Sequence, residues 1–140
     1  MKTFSGNFKR ETRGNNDIQD ITADLQNLIA KSGVKTGQVA AMVIGSTASL
    51  STLEFEPGLV KHDIAAAFEK IAPAEGDYEH EKTWHDDNGH SHVRACLTGS
   101  SVALPVVDGA IPLGTWQQVV LIDFDTRGRT REIVVTIIGE

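Results

Sequence analysis

Cysteine, positive charge and long apolar runs are all scarce in this chain, and each shortage removes a class of answer. There is one cysteine in 140 residues, Cys96, so an internal disulfide and a four-cysteine zinc site are excluded. Cys96 lies in the apolar stretch 93–97, which predicts a buried thiol and not a nucleophile. Lys and Arg number 13 against 19 Asp and Glu, a formal net charge of −6. Counterion release from a nucleic acid backbone needs the opposite balance. No stretch approaches the ~20 apolar residues that span a bilayer, and residues 1–6 form no apolar signal segment. The expectation is a soluble cytoplasmic protein with no nucleic acid or membrane partner.

What is present suffices for a single domain over residues 1–140, because 40% hydrophobic residues supply a core without staples. Residues 3–12 read as a strand with Phe4 and Phe8 on one side. Residues 17–32 carry Ile21, Leu25, Leu28 and Ile29 at helical spacing, with Gly33 placed to end the helix in a left-handed turn. The apolar run 38–44 predicts a strand covered on both faces, and the alternation from Leu50 to Phe55 predicts another ending at Glu56. Pro57 opens a helix with Val60, Ile64, Ala67, Phe68 and Ile71 on its buried stripe, and Pro73 closes it. His62 falls off that stripe and reads as exposed. Residues 74–89 form a polar loop, followed by a short helix over 92–97 that starts near Asn88 or Ser91.

Strands at 102–107, 116–124 and 131–138 complete the chain, the last two as a hairpin across Thr126-Arg127-Gly128. That hairpin puts Arg127, Arg129 and Arg131 in or just after a solvated turn, as outside candidates for anion binding. Both faces of its strands are apolar, which predicts that a subunit interface covers part of one face. The fold class is α+β, with antiparallel β-sheets packed with two main helices and one short helix.

Four of the five histidines, His80, His85, His90 and His92, crowd around the acidic turn Asp86-Asp87-Asn88-Gly89. Imidazoles and carboxylates in one polar loop serve metal binding, proton transfer or phosphate handling. For a metal, histidines converging through the loop leave the open position that a catalytic zinc needs. The helical i, i+4 histidine pair of zinc proteases is absent, and His90 and His92 share a face only on a strand. For proton transfer, Asp86 or Asp87 orients an imidazole, and the same carboxylates suit magnesium beside phosphate oxygens. For an anion, the candidates are the start of the short helix and the stretches Thr98-Gly99-Ser100-Ser101 and Gly114-Thr115-Trp116-Gln117. None of these matches a phosphate-loop or dinucleotide glycine pattern. Scattered loop histidines and ordinary turn chemistry account for the same residues equally well.

The stretches Gly45-Ser46-Thr47-Ala48, Glu54-Phe55-Glu56-Pro57-Gly58-Leu59-Val60, Asn88-Gly89-His90-Ser91-His92-Val93, Leu97-Thr98-Gly99-Ser100-Ser101 and Leu113-Gly114-Thr115-Trp116-Gln117-Gln118 resemble, in order, motifs of the YjbQ-like family. That family is often labelled secondary thiamine-phosphate synthase. The resemblance implies an α+β subunit assembled as a homotrimer, with polar clefts near the subunit boundaries. It implies His92 and His80 as site residues, with Asp87 and Gln117 as companions. Where many relatives carry a histidine before Thr-Thr-Ala this chain has Gly45, so a tripartite histidine site would need His90 or another group. Under this resemblance the expected reaction joins a pyrimidine methyl diphosphate to a thiazole phosphate. His92, His80 and Asp87 are the catalytic candidates, and Ser100, Ser101, Thr115, Trp116 and Gln117 the phosphate- or substrate-binding ones. A Mg2+ or Zn2+ ion is expected at His80, His90, His92, Asp86 and Asp87. The alternatives are a metal-dependent hydrolase or phosphatase on the same loop, and a non-enzymatic trimeric binder of a small anion.

Overall fold

In the computed structural model, which describes residues 1–140, seven strands divide between two antiparallel sheets. The larger has the order β1(Lys2–Glu11)-β7(Thr130–Gly139)-β3(Gly37–Val43)-β5(Ser101–Val106), the smaller β2(Asp17–Asp20)-β6(Gln118–Asp123)-β4(Ala48–Leu53). The helices are α1(Thr22–Ser32), α2(Ile64–Ile71), α3(Glu81–Trp84) and α4(Gly89–Thr98), with a π-helical turn over Leu59–Asp63 leading into α2. The α+β class holds, with four helices in place of three. No helix is long and apolar enough to cross a membrane.

Side-chain alternation explains the layering. On β6, Val119 and Leu121 face the larger sheet and join a core with Val39, Ala41 and Val43 of β3 and Ile133, Val135 and Ile137 of β7. Its other face, Val120 and Ile122 with the following Phe124, meets Val60, Ile64 and Phe68 near α2 and Ala95 of α4. The Phe68 and Phe124 rings meet edge to face, 4.8 Å apart. The smaller sheet is therefore a middle layer, with the larger sheet on one side and α2 and α4 on the other. α1 adds Leu25, Leu28 and Ile29 to the main core, and ends at Gly33, whose φ of 69° is the expected left-handed cap.

Several sequence expectations change here. Residues 17–20 are a strand and not the first turn of α1, because they pair with Asp123–Val120 of β6 and the Asp20 carboxylate accepts the Thr22 N–H at 2.9 Å. The expected hairpin between the last two strands does not form. β6 pairs with β2 and β4, while β7 runs between β1 and β3 in the other sheet. The two apolar faces of β6 are thus both covered by its own chain, without a subunit interface. Only β7 keeps an outer face at the surface, with Ile138 exposed and Val134 half-buried. Along the π-helical turn and α2 the covered line is Val60, Ile64 and Phe68, while Ala67 and Ile71 are exposed. His62 is exposed, as its position off the stripe implies.

Leu121 has 0% exposure in the shared core, so Leu121→Ala is expected to cost about 2–5 kcal/mol, read from urea denaturation. Thr136→Ala, on the exposed face of β7, is expected to stay within about 0.5 kcal/mol.

Candidate functional site

The crossing from β6 to β7 builds the site. Asp123 and Asp125 point inward before the crossing and Arg129 and Arg131 after it. Arg131 donates from Nε to Asp123 Oδ2 at 2.7 Å and from Nη2 to Asp123 Oδ1 at 2.9 Å and Thr47 Oγ1 at 2.6 Å. Thr12 donates to Asp123 Oδ2 at 2.6 Å. Asp125 accepts from Thr47 Oγ1 at 2.9 Å, Arg129 Nε at 3.1 Å and Asn88 Nδ2 at 3.3 Å. Burial pushes the Asp125 carboxyl up, but the hydrogen bonds from Thr47, the Arg127 N–H, Asn88 and Arg129 outweigh it and hold the group below the usual carboxylate range. Asn88 also accepts the Thr126 N–H at 3.1 Å, so the start of α4 is fastened to the same corner.

Arg131 lies beside Gly45. The register of β3 against β7 ends at Val43 opposite Ile133, which makes the next inward pair Gly45 and Arg131. A Cβ on Gly45 would stand 2.5 Å from Arg131 Nη1, and the Gly45 φ of 127° itself disfavours a side chain. The guanidinium thus occupies the space a side chain at position 45 would need. Its Nη1 has no protein acceptor, although the side chain is only 7% exposed. Arg131 is correspondingly not the solvated hairpin arginine its position suggested.

Gly45, Ser46 and Ala48 form one wall of a cleft of about 390 Å³, and His92, Cys96, Gly99 and Ser100 form the opposite wall. His92 and Cys96 are one turn apart on α4 and share its exposed side. Cys96 is exposed and not a buried thiol, because α4 turns Ser91, Arg94 and Ala95 inward instead.

His92 also touches the histidine loop, its ring 4.5 Å from that of His80. His80 Nδ1 lies 3.4 Å from Glu81 Oε1 and 3.5 Å from Asp86 Oδ1, and one donor atom from each of these three residues falls within 4.8 Å of the others. An imidazole nitrogen with two carboxylates fits a zinc- or manganese-like ion better than magnesium, which favours oxygen. Glu81 also accepts the Gly89 N–H at 2.6 Å and the Asp87 N–H at 2.7 Å. Burial raises its carboxyl, but these bonds and the one from His80 bring it below its ordinary value. Glu81, which no sequence pattern singled out, therefore shapes the loop.

The remaining predicted residues lie elsewhere. His90 is buried on the far side of α4, its ring 6.3 Å from that of Tyr78, and faces a cleft of about 400 Å³ with Asp87, Asn15 and Thr126. It does not stand in for a histidine at position 45; the Arg131 guanidinium holds that place. His90 and Asp87 also fall outside the His80–Glu81–Asp86 group. His85 caps α3 in a left-handed conformation and is exposed. Ser100 lines the His92 cleft, whereas Ser101 starts β5 opposite Met42. Thr115 and Trp116 are exposed, and Gln117 donates to Thr52 at 3.1 Å, near the end of β4 away from Ala48. Within one chain these three do not reach the cleft. Asp123 went unassigned in the sequence and Arg131 entered only as an outside candidate for anion binding in a solvated turn, although Asp-x-Asp followed by Arg-x-Arg is a readable signal of inward charges on successive strands.

Fold and site together define a two-sheet α+β protein with a histidine-lined polar cleft between a helix and a sheet-to-sheet crossing. The chain belongs to the UPF0047, YjbQ-like protein family, whose model matches residues 6–140. It is 33% identical over 123 residues to a UPF0047 protein of Synechocystis, covering 88% of this chain and 84% of that one. A UPF0047 protein of Methanothermobacter thermautotrophicus is 30% identical over 140 residues, covering 100% and 95% respectively. Among solved structures, a YbjQ-like protein of Sulfolobus solfataricus superposes with a TM-score of 0.92 at 31% identity, covering 99% of each chain.

Burial, reinforced by Arg94 and opposed by Glu69, Glu81 and Asp87, lowers the His90 pKa from its ordinary 6.5. The unfolded chain therefore binds more protons below that value. The His90 contribution to stability is complete above about pH 6.5 and is lost as pH falls through the lower folded value. Urea midpoints measured from pH 8 to 5 should fall, and His90→Gln should flatten that part of the slope.

Proposed function

We propose that the His92 cleft binds a phosphate group of a small substrate, and that the reaction is the one the family resemblance implies, formation of thiamine phosphate. The observation that carries the reading is the free Nη1 of Arg131 beside Gly45. A guanidinium anchored through Nε and Nη2 offers its remaining edge to an anion at little reorganisation cost. Ser46 and Ser100 add hydroxyls on the two walls.

In this reading the thiazole nitrogen attacks the pyrimidine methylene carbon, and the C–O bond to diphosphate breaks. Arg131 and the serine hydroxyls hold the departing oxygens, where negative charge grows. His92 donates a hydrogen bond or proton to the leaving group, with the tilted His80 ring packed beside it and restricting its orientation. A divalent cation held by His80, Glu81 and Asp86 would neutralise part of the diphosphate charge.

Self-association as a homotrimer belongs to the same proposal. The outer face of the larger sheet presents Ala40, Met42, Ala103 and Ile138 without a covering helix, and a neighbouring copy is the means by which exposed Thr115, Trp116 and Gln117 would reach a cleft. Trp116, 73% exposed, would then supply the flat surface against the pyrimidine. A reducing cytoplasmic setting completes the picture, since exposed Cys96 lines the cleft. The same His80–Glu81–Asp86 group favours, as a second reading, metal-dependent hydrolysis of a phosphoester.

Purified protein given both substrates with Mn2+, Zn2+ or Mg2+ is expected to form thiamine phosphate, and His92→Ala to lower the rate at least ~100-fold. An unchanged rate in that variant would sink the assigned role. Phosphoester cleavage lost on chelation, without synthesis, would select hydrolysis. Light scattering should return three times the chain mass of 15.1 kDa, and Ala40→Glu on the exposed sheet face should reduce it to one.

A further inference from the structure

The largest cavity in the molecule lies apart from the His92 cleft, between the β1–β2 connection and the π-helical turn before α2. It measures about 520 Å³, within the ~300–1,000 Å³ of small-molecule sites. Its apolar surface comes from Ile18, Phe55, Val60 and Ala65. Phe55 is 41% exposed, so part of its ring is open to solvent.

The polar side of this cavity is rich in donors. Lys61 is exposed and pairs with no carboxylate. Arg13 spends one guanidinium nitrogen on Asp17, at 3.0 Å, while its side chain stays 87% exposed. Asp17 also accepts the Arg13 N–H at 3.0 Å and the Gln19 amide at 3.0 Å, so its charge is already engaged. Asn16 accepts from Arg94 Nη1 at 2.9 Å, leaving its own Nδ2 without a partner. The N–H groups of Gly14 and Asn16 also meet no protein acceptor. In a chain of net charge −6, such a lip is a local reversal of sign.

This wall is held in place. Gly14, Asn15 and Asn16 take φ values of 73°, 52° and 65°, a left-handed run that open coil does not favour. It is fastened by the Asn15 N–H to the Asp125 carbonyl at 2.7 Å, in addition to the Asn16–Arg94 bond. On the opposite side, the π turn carries both Val60 and Lys61, and π turns concentrate at functional sites. Apolar surface, unmatched donors and a fixed wall are the ingredients of a preorganised pocket.

We propose that this cavity is a second binding site, separate from the His92 cleft, for a small aromatic anion. The ring lies against Phe55, Ile18 and Val60, and the acid group meets Lys61, Arg13 and the Asn16 amide. A carboxylate is the informative probe, because a phosphate would also seek the His92 cleft.

Titration of 15N-labelled protein with 2-naphthoate is expected to move the amide signals of Asn16, Ile18, Phe55 and Lys61 saturably, and to leave Gly45, Ser46 and Gly99 still. Lys61→Glu, a surface change that spares the fold, should weaken binding about tenfold or more. Neutral 2-naphthalenemethanol should bind more weakly than the acid. Ala65→Phe should fill the cavity and abolish the shifts while the rest of the spectrum stays native. Absence of saturable shifts, shifts confined to the Gly45 side, or equal affinity in the wild type and Lys61→Glu would each overturn the proposal.

Discussion

The ion pair between Arg131 and Asp123 holds the corner on which the remaining architecture depends. At this point the chain leaves the smaller sheet and enters the larger one, and both partners are buried, Asp123 at 0% and Arg131 at 6% exposure. Two charges removed from water repay that cost only when geometry is good and the remaining polar atoms are satisfied. Here the Asp123 oxygens accept from Thr12, the Asp125 N–H and two Arg131 nitrogens. No fully buried side-chain polar atom in the molecule is left without a partner, so Arg131 Nη1, which has none, is in contact with solvent. Such a pair adds little net stability compared with an apolar replacement, whereas losing one partner costs about 3–5 kcal/mol. Breaking it would leave a buried charge at the point where the chain changes sheets.

The same corner couples fold to chemistry. Thr47 bridges Arg131 and Asp125, which fixes the turn carrying Gly45 and Ser46. Asn88 bridges Asp125 and Thr126, which fixes the start of α4 and hence His92. The two walls of the cleft are therefore referenced to one buried network, and they are also joined directly, by the Val43 N–H to the Ser100 carbonyl at 2.9 Å and the Ser49 hydroxyl to the Ala95 carbonyl at 3.2 Å. Gly45 completes the arrangement by leaving room for a guanidinium, so a change at this position is at once steric and electrostatic.

Much of the architecture was legible because burial leaves a periodic trace. The i, i+4 spacing of Leu25 and Ile29 and the Gly33 cap appear where the spacing puts them. The apolar run 38–44 does form a strand, but only Val39, Ala41 and Val43 are buried; Ala40, Met42 and Ile44 leave exposed the second face that was expected to be covered. Partnering was not legible. The two-sided apolar pattern of β6 is equally compatible with a subunit interface and with a middle layer, and only the position of α2 and α4 decides between them. The hairpin expectation failed for a related reason, since a short polar turn between two apolar strands does not reveal that the strands lie in different sheets. Of the histidine cluster, sequence proximity was a poor guide. His90 and His92 are neighbours in the chain, yet α4 sends one inward toward Tyr78 and the other to the Gly45 cleft.

Sequence by itself determined the α+β class, the family, and the loop in which histidines and carboxylates gather, because composition, periodicity and motif strings are local properties that survive without coordinates. Tertiary structure alone decided that Arg131 faces Gly45, that Glu81 joins His80 and Asp86, and that Gln117 belongs to the other end of β4. The Gly45–Arg131 and Thr52–Gln117 pairings join residues far apart in the chain, and their distances depend on the order of strands within each sheet, a long-range quantity that no local pattern encodes. His80, Glu81 and Asp86 are near in sequence, but they converge through the path of a loop folded around the Glu81 carboxylate, which no regular period describes.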